Sequence, residues 1–414
     1  MDKIVIITVG CKVNQAESEE LALRLAEEGY RVTRDMEGAA LCVVNTCAVT
    51  SEGEHKSRKA VSKAMRAGVP VIATGCSVRT DPGSHQAARG LQLVPNTDKD
   101  RLASIIAERG LKTGPGDMGN DVLRTRAVIK VQDGCDRGCA YCIVPRARGR
   151  SRSLPRDQIE AAVDRAVRRG AAELVLTGVN LGDYGRESGS SLSRLIHEMT
   201  ARPDIGRVRL SSLEIDHVRG ELLEEVACNP KVCKHLHLPL QSGDDRILEA
   251  MRRPYAAQEV MEVVSRLRQA VPEIAVTVDI MVGFPGEGEA EFSNTLRVIE
   301  ELQPAKMHVF QYSPRPGTKA AGLAVQVDAA EKKERARRSR NLGLLLQQRF
   351  VKAQVGTRTE VAILEARYGE GAVGLTGNYV RVLLEPCKQE LTAGLANVYI
   401  KGTRGCLALG DMDN

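Results

Sequence analysis

The chain has 414 residues, 43% of them hydrophobic, with a net charge of +6 and eleven cysteines. That length and apolar content suit two or three globular domains and exclude a disordered chain. No stretch approaches the roughly 20 apolar residues of a membrane span, and Met1–Ile7 lacks the apolar core of a secretory signal. The sequence therefore predicts a cytoplasmic protein without a membrane partner, whose thiols are reduced and available to metal.

Residues 1 to about 112 alternate between strand and helix. Strands are predicted at Lys3–Val9, Ala40–Asn45, Val69–Thr74 and Leu91–Val94, and helices at Ala16–Glu28, Glu54–Ala67 and Asp98–Arg109. This pattern predicts a small α/β sandwich around a parallel sheet. Cys11, Cys47 and Cys76 follow three of the strands, and loops at the carboxyl ends of parallel strands share one edge of the sheet. The three thiols are candidate ligands of one iron–sulfur cluster, with burial as small apolar side chains as the alternative. Cys42, inside the apolar run Ala40–Val44, fits burial. Lys112–Asn120 reads as a linker.

From Ala127 to Ser313 the alternation continues. Strands are predicted at Ala127–Val131, Glu173–Thr177, Val208–Ser211, His235–Leu238, Ala275–Val282 and Met307–Tyr312, with helices such as Gln158–Arg169 and Leu192–Thr200 between them. Six such units predict a partial parallel (βα)6 barrel with its functional loops at the carboxyl ends of the strands. The first loop carries Cys135, Cys139 and Cys142 at C-x3-C-x2-C spacing. Three thiolates leave one iron of a four-iron cluster open to a small molecule. Zinc is the alternative, although structural zinc usually closes with a fourth ligand and none follows nearby. Later loops carry Thr177-Gly178-Val179-Asn180, Ser211–Glu214, Pro239–Gly243 and Gly283–Gly286, and together they outline one pocket. Arg146, Arg148, Arg150 and Arg152 alternate after the cysteine loop, so an extended segment would aim all four at phosphates on one side. Cys228 and Cys233 are expected to be buried.

Basic residues from Lys332 to Arg340 crowd one helix, either as a solvated face or as a phosphate contact. Short strands at Glu360–Glu365, Ala372–Thr376, Tyr379–Leu384 and Leu395–Ile400 predict a small antiparallel β-barrel, with Cys387 and Cys406 as packing or surface residues.

In order along the chain, Gly10–Gln15, Asn45–Thr50, Gly75-Cys76, Gln132–Pro145, Leu176–Leu181, His237–Gly243 and Val282–Glu287 resemble the motifs of the radical S-adenosylmethionine (SAM) methylthiotransferases. The resemblance covers essentially the whole chain. It implies a methylthiotransferase domain over 1–112, a linker over 113–125, a radical SAM core over 126–350 and a TRAM RNA-binding domain over 351–414. It also implies SAM and two 4Fe-4S clusters, one on Cys135, Cys139 and Cys142 and an auxiliary one on Cys11, Cys47 and Cys76. SAM would be cleaved to a deoxyadenosyl radical that opens an unactivated C–H bond, and the auxiliary cluster would supply the sulfur that is methylated and delivered there.

Tyr141, Thr177, Gly178, Val179, Asn180 and Glu214 are then the expected SAM contacts, with Gln241 and Ser242 toward its carboxylate. Simple packing of Tyr141, and pairing of Glu214 with an arginine, are the alternatives. Lys12–Gln15, Leu213–Ile215, Met251–Arg253 and Gly374–Tyr379 are most similar to the branch that acts on N6-threonylcarbamoyladenosine beside the anticodon of tRNA. The expected partners are a tRNA anticodon stem-loop, held by the four arginines and by Arg381, and a reductase or small protein as electron donor. DNA is not expected. Gly288, Ser77-Val78 and Gly138 depart from the family pattern without removing a cysteine. A tRNA isopentenyladenosine, a ribosomal-protein aspartate, and a non-enzymatic RNA-binding redox sensor are the competing readings.

Overall fold

Apolar runs without alternation build the first layer, in the computed structural model of the chain, which describes residues 1–81, 83, 90–116, 125–367, 371–385 and 394–412. The elements are β1 (Lys3–Thr8), α1 (Lys12–Glu27), β2 (Arg31–Thr33), β3 (Ala39–Thr46), α2 (Ser51–Arg66), β4 (Val71–Gly75), α3 (Cys76–Thr80), β5 (Leu91–Val94) and α4 (Leu102–Ala107). The sheet is parallel in the order β2-β1-β3-β4-β5. Its strands are apolar on both sides because both faces are covered. Leu21, Leu25, Leu102 and Ile106 pack on Ile4, Leu41, Val43 and Ile72. On the other face Val61 and Ala64 meet Val5, Val44 and the buried Cys42.

Several boundaries differ from expectation, among them that of α2, which begins at Ser51 because Thr50 caps it by accepting from Gly53 N at 3.0 Å. α1 begins at Lys12 because Cys11 stands at its N-cap position and Asn14 donates to the carbonyls of Val9 and Thr46 at 2.7 and 2.9 Å. The last predicted helix opens as a 3-10 turn over Asn96–Arg101.

The next elements are β6 (Arg126–Lys130), β7 (Gln132–Asp133), α5 (Val144–Arg148), β8 (Arg152–Ser153), α6 (Arg156–Arg168), β9 (Glu173–Thr177), α7 (Leu192–Thr200), β10 (Arg207–Leu210), α8 (Gly220–Cys228), β11 (His235–Gln241), α9 (Asp245–Ala250), α10 (Ala257–Ala270), β12 (Ala275–Val282), α11 (Glu289–Leu302) and β13 (Lys306–Gln311). The parallel sheets β10-β9-β6 and β11-β12-β13 meet through bridges between Val208 and Val232 and between Ser212 and His237. Six strands therefore curve into the expected partial barrel. Leu174, Leu176, Leu236, Leu238, Val276 and Val278 face the surrounding helices. The alternate positions Glu173, Arg207, Arg209, His235, His237, Thr277 and Asp279 give the inner face, which is polar. Cys233 is buried as expected, whereas Cys228 is exposed. Leu222 and Val226 occupy the core stripe of α8, and Cys228 falls outside that spacing.

After α12 (Ala329–Lys352), strands β14 (Arg358–Arg367), β15 (Gly371–Thr376), β16 (Arg381–Leu384), β17 (Leu395–Arg404) and β18 (Leu407–Met412) close a barrel in the order β14-β15-β16-β18-β17. It is not wholly antiparallel, because β16 and β18 pair in parallel. An odd number of strands cannot alternate around a closed ring, so one parallel pair is required. Cys406 is half-buried, while Cys387 and residues 117–120 of the expected linker lie outside the described residues. Among the described residues no helix is long and apolar enough to cross a membrane.

This small barrel plugs the amino-terminal end of the larger one. Arg207 and Arg209 donate to the carbonyls of Leu375, Thr376 and Gly377 at 2.7 to 3.0 Å. Tyr379, held at a φ of 68°, stacks on His235 at 4.2 Å. The charge run on α12 is largely consumed internally. Arg335 is buried against Glu287, Arg337 pairs with Glu334, and Arg338 reaches Glu289 and covers the Phe292 ring.

Glu173 is fully buried and accepts from Arg126, Arg207 and Arg209. Burial raises its pKa, but the three guanidiniums outweigh burial and hold the carboxyl well below its usual value of 4.5. Glu173→Gln leaves three buried cations facing one another and should destabilise the fold by about 3–5 kcal/mol in denaturant melts. Since the folded-state pKa is depressed, the ionised carboxylate's contribution is complete above about pH 4.5 and fades below it. That pH dependence should be reduced in the variant.

Candidate active site

The sheet order places β1, β3 and β4 side by side, and Cys11, Cys47 and Cys76 stand immediately beyond their carboxyl ends. Gly10 makes the approach possible. Its φ is 110°, and a Cβ there would lie 2.8 Å from Cys47 Cβ. Cys11 is exposed, while Cys47 and Cys76 are buried. Burial, with Cys76 and Cys11 adding to it, pushes the Cys47 thiol up to about 11, and burial likewise raises Cys76. Clustered thiols of this kind become thiolates when a cation takes them as ligands.

The second triad lies on the loop between β7 and β8, whose antiparallel pairing of Gln132 with Ser153 and Asp133 with Arg152 pinches the loop at its base. Gly134 has a φ of 70°, and a Cβ there would sit 1.9 Å from the Arg150 carbonyl. Backbone N–H groups of Arg137 and Val144 donate to Cys135 Sγ and Cys142 Sγ at 3.4 Å, and Arg253 Nη1 donates to Cys139 Sγ at 3.3 Å. These donors favour the thiolate form, whereas burial pushes Cys135 up to about 11 and Cys142 to about 12.

Among the described residues, the one set of three metal-capable groups with all ligand atoms within 4.8 Å is His237, Asp279 and His308. Neither triad therefore closes to the roughly 3.8 Å between thiolates on a tetrahedral zinc with Zn–S near 2.3 Å.

The two triads are joined by a helix contact. α5, directly after Cys142, packs against α3, which starts at Cys76, with Ala48, Cys76 and Ala147 in one buried cluster. Asn96 Nδ2 donates to the Ala147 carbonyl at 2.9 Å. Arg148 donates to Glu17 Oε1 at 2.8 Å, to Asp133 Oδ1 at 3.0 Å and to Asn14 Oδ1. Lys130 bridges Glu17 and Asp133 at 2.7 and 2.8 Å, and Lys99 also reaches Glu17. Burial raises the Glu17 carboxyl, yet Lys99, Lys130 and Arg148 bring it well below the carboxylate range.

This overturns the expectation of four parallel arginines. The segment is helical from Val144 to Arg148, so the side chains diverge. Arg148 turns inward. Arg146 donates to the Pro316 carbonyl, Arg152 pairs with Asp133, and the Arg150 side chain is 92% exposed.

At the carboxyl ends of the barrel strands, the half-buried Tyr141 meets the Phe284 ring edge-on at 6.5 Å. Thr177 is buried and accepts at its carbonyl from Val131 N. A Cβ on Gly178 would press on Gln132 Oε1 at 2.8 Å, and Val179 beside it is half-buried. Asn180 donates to Gln132 Oε1 and Asp183 Oδ2, but its own Oδ1 is buried without a partner among the described residues, as is Ser211 Oγ. Such orphaned polar atoms at the mouth fit a ligand bearing an amino group and hydroxyls, as SAM does.

Glu214 pairs with Arg253, the alternative weighed for it. Ser242 is buried and occupied with Thr295 Oγ1 at 3.1 Å and the Asp244 N–H, so it shapes the turn. Gln241, half-buried with a φ of 67°, ends β11 in the same turn. Arg253 and Tyr255 were not anticipated. Arg253 joins Cys139, Glu214 and Tyr255 Oη, and Tyr255 donates to the Pro239 carbonyl at 2.7 Å.

Comparison with known proteins agrees with this layout. Residues 129–299 match the Radical SAM superfamily, and residues 3–94 match the uncharacterized protein family UPF0004. The threonylcarbamoyladenosine tRNA methylthiotransferase MtaB of Thermotoga maritima is 38% identical, covering 81% of this chain and 80% of that protein. The Bacillus subtilis protein of the same name is 34% identical over 93% of this chain and 91% of its own length. The chain belongs to the radical SAM methylthiotransferases.

A tRNA-2-methylthio-N(6)-dimethylallyladenosine synthase of Campylobacter jejuni subsp. doylei is also 32% identical over 99% of both chains. Among solved structures, the radical SAM methyltransferase TsrM of Kitasatospora setae has a TM-score of 0.56 at 16% identity, covering 78% of this chain and 77% of that one, a likeness of fold alone. As a member of its family, the chain is a sulfur-transferring enzyme that uses SAM and 4Fe-4S clusters. Arg148→Met removes the central guanidinium of the contact between the triads. Product formation should fall about 100-fold through misplacement, with iron content and SAM cleavage in the absence of RNA within about twofold of the parent, measured on the same preparation.

Proposed function

We propose that this enzyme methylthiolates C2 of N6-threonylcarbamoyladenosine beside the anticodon of tRNA, in the cytoplasm. The carrying observation is the packing of α3, which starts at Cys76, on α5, which follows Cys142, so that two cysteine triads sit on adjoining elements. Support from relatives comes from the threonylcarbamoyladenosine tRNA methylthiotransferases of Thermotoga maritima and Bacillus subtilis, which align with 81% and 93% of this chain.

In this reading Cys135, Cys139 and Cys142 hold one cluster and Cys11, Cys47 and Cys76 the other. SAM with the first cluster supplies the one-electron chemistry needed for a C–H bond that has no acidic proton. The chain's own residues position and enclose. Tyr141 walls the SAM site, the Asn180 Oδ1 acceptor takes its amino group, and Thr177, Gly178 and Val179 line the approach. Arg253 neutralises the charge around Cys139 while holding Glu214, and Gln241 closes the rim. Residues 1–112 serve as the sulfur-transfer domain, 126–350 as the radical core and 351–414 as an RNA-binding domain. Arg146, Arg150 and Arg152 at the mouth and the exposed Arg381 on β16 offer phosphate contacts. A reductase or small electron-carrier protein supplies the electron.

Tandem mass spectrometry of tRNA nucleosides from a deletion strain should show loss of the 2-methylthio form of threonylcarbamoyladenosine. Unchanged levels, or loss of the methylthio-dimethylallyl form instead, would refute the substrate assignment. Replacing Cys11, Cys47 and Cys76 by Ala should remove about half the iron of anaerobically purified protein. Full iron retention would sink the second cluster. Arg150→Ala should weaken stem-loop binding without regard to sequence and lower the slope of log K against log salt by about one.

A further inference from the structure

Three adjacent barrel strands, none of which carries a cysteine, bring two imidazoles and a carboxylate together on the inner face. Register does this. His237 on β11 pairs with Thr277 on β12, Asp279 stands two residues further along β12 on the same face, and Asp279 pairs with His308 on the edge strand β13. His237 Nε2 lies 3.1 Å from Asp279 Oδ2, His308 Nδ1 lies 3.1 Å from Asp279 Oδ1, and the two rings are 5.4 Å apart. All three ligand atoms fall within 4.8 Å of one another. Donor atoms on a tetrahedral zinc with bonds of about 2.0–2.1 Å stand about 3.3 Å apart, so two of the pairs are already at ligand spacing.

Arg126, Arg207 and Arg209 line the same interior, but Glu173 takes all three. Asp279, by contrast, is met by imidazole nitrogen, and among the described residues no lysine or arginine forms an ion pair with it. The second ring nitrogen of His237 lies 2.8 Å from Thr277 Oγ1, and His235 Nε2 meets the same hydroxyl at 3.1 Å. A hydroxyl both donates and accepts, so Thr277 holds the His237 ring whether Nε2 carries a proton or faces a cation. His237 is buried, whereas the His308 side chain is 41% exposed. An ion can therefore enter beside the edge strand, and coordination positions stay open on that side.

We propose that His237, Asp279 and His308 bind one divalent transition-metal ion of the zinc class inside the barrel, at a site separate from both cysteine triads. Two imidazoles with one carboxylate suit zinc, iron(II) or cobalt(II), and disfavour magnesium and calcium, which prefer oxygen ligands throughout. Each neutral imidazole binds by carrying its proton on the other ring nitrogen, so the protein gives up no charge. The bound ion fastens the edge strand β13 to β11 and β12 from within. None of this depends on which RNA base the enzyme modifies.

The test uses holoenzyme with both clusters loaded, incubated anaerobically with zinc chloride and then desalted. The parent should retain about one zinc per chain at unchanged iron, while Asp279→Asn and His308→Ala should each retain less than about a tenth of that. X-ray absorption at the zinc edge should show nitrogen and oxygen neighbours at about 2.0–2.1 Å and no sulfur at about 2.3 Å, which separates this site from the cysteines. His308 is half-buried on an edge strand, so its truncation should leave iron content and the melting temperature without zinc at the parent's level. Added zinc should then raise the melting temperature of the parent and not that of the variant. A parent that retains no zinc, and so holds only a hydrogen-bonded His–Asp–His group, overturns the site. Zinc that survives in both variants, or that has sulfur neighbours, overturns it equally.

Discussion

Buried charge fixes how the two halves of this enzyme meet. Glu17 on α1 receives Lys99 from its own domain and Lys130 and Arg148 from the barrel, while Asp133 holds Lys130, Arg148 and Arg152 from below. Such networks contribute little net stability, because desolvating the ions costs about as much as their attraction returns. What they contribute is register. An apolar interface could slide by a residue at small cost, whereas sliding α1 here would strand several buried charges. Arg148 is the pivot, since it follows the barrel cysteines by a single turn of helix and its charge also lies close enough to Cys76 to favour that thiolate. The same side chain therefore ties the position of one triad to that of the other.

The sequence made the local pieces plain and left the contacts between them obscure. The strands Glu173–Thr177 and Ala275–Val282 and the helix Leu192–Thr200 have their predicted limits because length, apolar pattern and flanking turns agree there. The cysteines were legible because their chemistry is rare and their place after strands is repeated. β2 was missed because Arg31-Val32-Thr33 is too short to carry a period. The arginines after Cys142 were misread because an alternation of two was taken as extended chain, while Pro145 near the start of α5 and Gly149 after it are ordinary helix punctuation. Arg253, Glu17 and Asp133 could not be found from spacing at all. Glu214, the partner of Arg253, and Arg148, the partner of Glu17, lie 39 and 131 residues away, and Asp133 meets the same Arg148 15 residues on across a loop whose course only the folded chain shows.

The six-stranded barrel explains why the amino-terminal domain must be there. A closed eight-stranded barrel fills its interior with its own side chains, whereas here the edge strands β6 and β13 do not pair among the described residues. The first domain spans that gap. On one side α1 lies along β6, and on the other Ser51 and Glu54 of α2 meet Ser313 and Arg315 just beyond β13, with Arg315 donating to Glu54 Oε2 at 2.6 Å. The domain is thus a wall of the reaction chamber, and it carries Cys11 at the N-cap of the helix that forms this wall. At the other end the carbonyls after β15 and the ring of Tyr379 stopper the chamber from below. A polar interior of this kind would be unstable as a solid core, since each buried charge needs a partner. It is stable because Glu173 and Asp279 are saturated from within and the floor carbonyls satisfy Arg207 and Arg209.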